Sequence, residues 1–141
     1  MILTDASNLE ELMKFICLGY MDEKKWQQQS ESERNAFVDR CLSYDDELRA
    51  KGHYAGGEGL ENTAATVRIR DGKAIVTDGP FIETKEHLGG ILILEARNMA
   101  QAIELMSKHP GVSAAGFEIR QVADMSGMIK ESEKRRRAAA K

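Results

Sequence analysis

Apolar positions change period several times along the chain, and each change marks an element. Residues 14–20, KFICLGY, crowd Phe, Ile, Cys, Leu and Tyr into one run and predict a central strand. Past a polar stretch around Trp26 the spacing becomes helical. Phe37, Cys41, Tyr44 and Leu48, flanked by Val38 and Leu42, recur at i, i+4, i+7 and i+11 and draw one apolar stripe. Ser30 with Glu33 three residues later has the spacing of a capping box, and Gly52 after Lys51 offers the stop.

Residues 53–60, HYAGGEGL, predict a weak strand whose three glycines favour bulges or close backbone approach over regular pairing. In ATVRIRDGKAIVTDG two alternating runs flank Asp71-Gly72, the composition of a type I′ hairpin turn. If Arg70 faces Lys73, then Ile69 faces Ala74 and Val67 faces Val76. The apolar residues then share one face, and Arg68 and Arg70 lie on the other. GILILEA, residues 90–96, is apolar without alternation, as a central strand buried on both faces would be. Asn98 caps a helix whose buried stripe is Met99, Ala102, Ile103 and Met106, stopped by Pro110-Gly111. The last strand is GFEIRQV, residues 116–122. This order is that of a ferredoxin-like α+β sandwich, an antiparallel sheet with helices on one face. The other face then needs cover from outside the chain, which implies a homodimer of two-fold symmetry in a barrel-like association.

Composition narrows the class. A chain of 141 residues, 42% hydrophobic and 30% charged, suits one globular domain and neither disorder nor a membrane protein. Its longest nearly uninterrupted apolar run, residues 90–94, is far short of the ~20 residues of a spanning helix. MILTDASNLEELMKF lacks the basic start and apolar centre of a secretion signal, so a cytoplasmic protein is expected. Cys17 and Cys41 form no CxxC or Cys/His cluster and read as buried small hydrophobes, with neither disulfide nor metal site expected. No P-loop, dinucleotide fingerprint, nucleophile elbow or HExxH occurs, and no cofactor is expected. Residues 127–141 carry six Lys/Arg against two Glu, a net +4 that leaves −7 on the rest of a chain of net −3. With an acidic body and no aromatic residue among the arginines, a solvated terminal helix is expected rather than nucleic-acid binding. The chain thus divides into an N-terminal extension (1–12), a domain (13–125) and a basic tail (126–141).

The segment VTDGPFIETKEHLGG, residues 76–90, concentrates the candidate chemistry. The hairpin's period of two puts Asp78 on the face of Val67 and Val76, aimed toward the covered side where the strand ends. Pro80 has no N–H and stops the pairing. A carboxylate there either caps the following amides as an Asx-turn or, partly buried, serves as a general base. His87 follows amid Glu83, Lys85 and Glu86, and imidazole beside carboxylates is the raw material of proton transfer. His109 falls at a helix C-terminus, where it favours the dipole, and His53 starts the weak strand.

ATVRIRDGKAIVTDGPFIETKEHLGG, preceded by MKFICLGYMDE and followed by EARNMAQAIELMSKHPG and FEIRQV, closely resembles the DGPF-type members of the YCII-related family. The likeness spans residues 13–122 and includes Asp78-Gly79-Pro80-Phe81, Glu83-Thr84-Lys85-Glu86 and Gly89-Gly90. It implies a ferredoxin-like fold and usually a dimer. Relatives in the wider family are proposed to use a histidine and an aspartate in a cleft, and a dehydrochlorinase of chlorinated aromatic diols is among them. Their histidine lies in the first helix, where the aligned residue here is Phe37, which leaves His87 as the histidine near Asp78. The resemblance thus implies a cleft near Asp78 that binds a small polar or aromatic molecule, with acid/base, lyase or dehydrochlorinase-like chemistry. Asp78 and His87 are its candidate catalytic pair, and Arg68, Pro80, Phe81, Glu83 and Lys85 its candidate ligand contacts. The alternative implied is a non-catalytic interaction or sensing module that partners an extracytoplasmic-function sigma factor, beside which such proteins are often encoded.

Overall fold

The computed structural model describes residues 11–80 and 85–141. Candidates Phe81 and Glu83, and most of the N-terminal extension, lie outside the described residues. The chain runs β1 (Met13–Asp22), α1 (Glu23–Gln28), α2 (Glu31–Ala50), β2 (Tyr54–Gly59), β3 (Ala65–Arg70), β4 (Lys73–Asp78), β5 (Glu86–Ala96), α3 (Met99–Ser107), a 3₁₀ turn (Pro110–Ser113), β6 (Phe117–Gln121) and α4 (Ser126–Ala139).

The two most apolar runs become the two central strands. β1 and β5 pair antiparallel, Phe15 opposite Leu94 and Cys17 opposite Leu92, within a four-stranded sheet of order β2-β5-β1-β6. Every neighbouring pair is antiparallel, which is the ferredoxin-like arrangement. One face buries Phe15, Cys17, Leu92, Leu94 and Ala96 against Leu48 of α2 and Ala102 and Met106 of α3. That cluster is the core, and its removal from water is the main driving force for folding.

Local chemistry sets the element ends. Ser30 Oγ accepts from Glu33 N–H while the Glu33 carboxylate accepts from Ser30 N–H, so the capping box starts α2 where its spacing predicts. Asn98 accepts from Gln101 N–H to start α3. The polar stretch around Trp26 holds an element the hydrophobic pattern does not mark: Asp22 accepts from the N–H groups of Lys24 and Lys25 and nucleates α1.

Three stripes depart from their sequence expectations. In α3, Ala102 and Met106 are buried but Ile103 is half exposed, because this helix of nine residues touches the sheet along one i, i+4 row only. The β3–β4 hairpin has the expected register, with Asp71 and Gly72 both at positive φ, yet forms a separate two-stranded sheet. Val67, Ile69 and Val76 are 65%, 72% and 65% exposed, so the face carrying Asp78 is uncovered within one chain. The reason lies at the hairpin's base, where Gly79 N–H donates to Ala64 O and Thr66 Oγ1 donates to Gly79 O. Those bonds close the hairpin on itself, and Gly79 at φ 101 turns the chain away.

The third departure opens a groove beneath α2. The α2 stripe is buried at Leu48, only half-buried at Tyr44, Cys41 and Phe37, and exposed at Val38 and Leu42. Beneath the N-terminal half of α2 the sheet has almost no side chains: Gly59, Gly90 and Gly19 lie side by side across β2, β5 and β1, with Phe117 of β6 next in the row. A helix has nothing to interdigitate with there. Glycine is required at Gly19, where a Cβ would come within 2.9 Å of the Phe117 ring.

The same test separates two glycines elsewhere. A Cβ on Gly111 would lie 2.9 Å from Phe117 Cζ and 3.0 Å from His109 Nδ1, whereas one on Gly59 would meet nothing within 4 Å. Gly111→Ala is expected to lower unfolding stability by about 1–3 kcal/mol through overpacking. Gly59→Ala should stay within ~0.5 kcal/mol of the parent. Urea denaturation of the two variants measures both.

Candidate functional site

The buried polar chemistry of the described residues gathers where α2 meets the turn after α3. His109 is 6% exposed and lies within 2.9 Å of Asp45, itself 16% exposed. Gly111 N–H donates to His109 Nδ1 at 2.9 Å, so Nδ1 is an acceptor and the ring proton sits on Nε2. Nε2–H therefore donates to Asp45 Oδ1. The ring is further fixed edge-on between Tyr44 and Phe117, with centroids 5.5 and 5.1 Å away. Tyr44 itself donates to Leu105 O at 2.6 Å. Burial, then Glu47 and Glu104, push the Tyr44 phenol up and keep it a donor.

From this corner a groove of about 580 Å³ runs under the raised half of α2. Its floor is the glycine row, its roof Phe37, Cys41 and Leu42, and its walls include Trp26, Tyr54 and Phe117. Trp26 meets Phe37 edge-to-face at 5.9 Å, which closes the far end. Asp45 supplies the groove's carboxylate; Glu58 also borders it, but it pairs with Ile91, whose side chain lies on the outer sheet face. His109 binds Asp45 through Oδ1, which leaves Oδ2 for a ligand. Among the described residues no group of three or more His, Cys, Asp or Glu is arranged to hold a metal ion.

The residues singled out by sequence fall elsewhere. Pro80, Lys85 and His87 line a second, wider cleft of about 980 Å³, together with Asp22, Glu23 and the 61–64 segment. His87 Nε2 is buried without a hydrogen bond, and its nearest acid is Glu23, Oε2 lying at 3.7 Å. Asp78 and Arg68 are exposed on the hairpin, outside the described lining of that cleft. The structure thus brings His87 together with Lys85 and Pro80, and gives it Glu23 as its ion-pair neighbour.

His109 and Asp45 are the pair that sequence reasoning missed. His109 does not serve the α3 dipole; it is turned inward, and its side chain caps the following 3₁₀ turn. One signal was available: Asp45, four residues after Cys41 and three before Leu48, puts a carboxylate on the apolar face of α2. Its partner, 64 residues away, could not be read from spacing.

Among known proteins, the chain is similar to an uncharacterized protein of Rhizobium meliloti (strain 1021), 38% identical over 64 residues. That match covers 43% of this chain and 50% of the relative, so the chain spans about half the length of the curated relative it matches. A model of the YCII-related domain matches residues 13–126, which covers the whole sheet, both helices packed on it, and both clefts. By that match the chain belongs to the YCII-related family.

Proposed function

We propose that this protein binds a small molecule in the groove beneath α2, with Asp45 as the group that meets the ligand or takes its proton. The observation that carries the reading is the hydrogen bond from buried His109 to Asp45 at the groove's inner end. Cavities that are mostly apolar with a few fixed polar groups are the usual form of small-molecule sites. A carboxylate held through one oxygen by a locked donor keeps its orientation when the other oxygen binds or abstracts a proton. His109 has both ring nitrogens engaged, so it acts as a positioning residue. Cys41 also lines the groove, but burial, and next the charge of Asp45, push its thiol up, against the pull of Arg40. That disfavours the thiolate and a covalent route through sulfur.

The His87 cleft is the second reading, favoured by the unpartnered Nε2 and the nearby Glu23 carboxylate. A second copy of the chain is the partner that the exposed apolar surface favours. Ile16, Leu18, Ile91 and Ile93 lie on the outer sheet face between charged edges, and the hairpin adds Val67, Ile69 and Val76. An isolated two-stranded hairpin is marginal in water, so such a face gains most from being covered.

In a thermal-shift screen of small aromatic and polar metabolites, the parent is expected to be stabilised by at least one compound. Asp45→Asn keeps an acceptor for His109, so it should fold with unchanged Tm and lose that shift. A shift that survives in Asp45→Asn and vanishes in His87→Ala would move the site to the other cleft. Near pH 8, Cys41 should alkylate slowly with iodoacetamide in the parent and faster in Asp45→Asn. Cys17, whose thiol burial pushes up to about 12, should stay protected in both until unfolded. Light scattering after size exclusion should give a dimer, and Ile69→Lys with Val76→Lys should shift it toward monomer.

A further inference from the structure

Building on the groove as the ligand site, we propose that its ligand is a flat aromatic or heteroaromatic molecule carrying a protonated amine or amidine. Three features of the groove point to this class.

The first is shape. Gly59, Gly90 and Gly19 form one row across three strands, and the helix-facing side of that row carries no side chain. Adjacent strands lie roughly 4.8 Å apart. Gly59 and Gly90 thus leave bare backbone about one strand spacing wide, and the Phe117 ring, 2.9 Å from where a Gly19 Cβ would stand, continues that floor to roughly the span of a two-ring system. A branched or globular ligand would leave that floor uncontacted, whereas a planar one lies along it.

The second is the wall chemistry. Trp26, Phe37, Tyr54 and Phe117 supply aromatic surface around the floor. Aromatic faces attract cations as well as other rings. Two of these rings already do so outside the groove, with Arg40 Cζ 6.0 Å from the Phe37 centroid and Arg49 Cζ 4.4 Å from that of Tyr54.

The third is charge. Asp45 brings a carboxylate to the groove, and among its described lining residues there is no lysine or arginine. The His109 Nε2–H donor is already committed to Asp45. A ligand carboxylate or phosphate would face the Asp45 carboxylate without a compensating cation, a costly arrangement in a partly desolvated site. A ligand ammonium would meet Asp45 Oδ2 in a charge-assisted hydrogen bond. Arg40 lies beyond the Trp26–Phe37 pair, lining a separate hollow of about 360 Å³, and is the residue that could favour the opposite sign.

The test uses two probes with one ring system and opposite charge, 2-naphthylmethylamine and 2-naphthoate, titrated calorimetrically into the full chain near neutral pH at low salt. The amine is expected to bind roughly tenfold or more tightly than the acid, and to weaken as salt is raised. Asp45→Asn should weaken the amine several-fold and leave the acid unchanged or slightly tighter. Gly59→Leu should abolish binding of the amine with Tm retained, because its Cβ enters open space and the side chain fills the slot. Tighter binding of the acid, blocked by Gly59→Leu, would overturn the ligand class while leaving the groove as the site. Absence of binding by either probe, or amine binding indifferent to both substitutions, would overturn the ligand class and the groove together. Should Gly59→Leu fail to fold, the comparison of the two probes on the parent and on Asp45→Asn still decides the charge.

Discussion

The hydrogen bond between His109 and Asp45 is the contact on which the upper layer of the molecule depends. It joins α2 to the turn after α3, two parts of the chain 64 residues apart. Tyr44 reinforces the junction one residue earlier by donating to Leu105 O. With Leu48 in the core below, these contacts fix the C-terminal half of α2. Its N-terminal half is held instead to α1, through Arg34 donating to Trp26 O and Gln29 O and Phe37 against Trp26, and extends over the glycine row. The helix is therefore anchored to the core at one end and raised at the other, and the groove is the space between. One junction supports the fold and orients the carboxylate that the groove presents.

The glycines that make residues 53–60 look like a poor strand have a positive role here. β2 pairs with β5 despite a register shift between Tyr54 and Gly56, and the backbone bonds supply what side-chain packing does not. Bare backbone at Gly59 leaves room above the sheet, Gly90 lets the Glu58 carbonyl come within 3.1 Å of where a Cβ would stand, and Gly19 and Gly111 let the Phe117 ring come close. That ring in turn packs on His109. A low strand propensity is thus offset by a shape that larger residues would fill. Weak local preference and an open cavity have the same origin in this sheet, in keeping with the tendency of local rules to be broken at sites.

Most of the architecture was legible because period-two and helical patterns, caps and turn dipeptides are local signals. The Asp71-Gly72 turn even fixed the pairing of Val67 with Val76, since a one-residue slip would have scattered the apolar set over both faces. What stayed hidden was tertiary. The α2 stripe gives no hint that half of it stands clear of the sheet, because that depends on what lies opposite. Residues 76–90 stand out in the sequence for their density of charged and turn-forming residues. The structure gives that segment an exposed hairpin end at Asp78 and a cleft at His87. The buried pair in the other groove came from two residues with unremarkable neighbours. A carboxylate on an apolar helix face was the available sign, and it would have named Asp45 without naming His109.

The choice of histidine as the partner of Asp45 has a consequence for the groove's electrostatics. A lysine or arginine in the same place would hold the carboxylate as firmly, but its charge would cancel that of Asp45 and leave the inner end neutral. With Nδ1 accepting from Gly111, the imidazole in this arrangement bears one proton and no charge. It orients Asp45 through a single donor bond and leaves the negative charge intact. The Cys41 thiol already responds to that charge, which adds to burial in pushing it up. A fixed negative charge at the end of an aromatic-walled slot would select a ligand by sign as well as by shape, because the same desolvation that strengthens attraction to a cation penalises an anion. Gly111 belongs to this device as much as the charged pair does. Its amide sets the tautomer, and its missing side chain lets the ring sit between Tyr44 and Phe117 in the orientation that points Nε2 at Asp45.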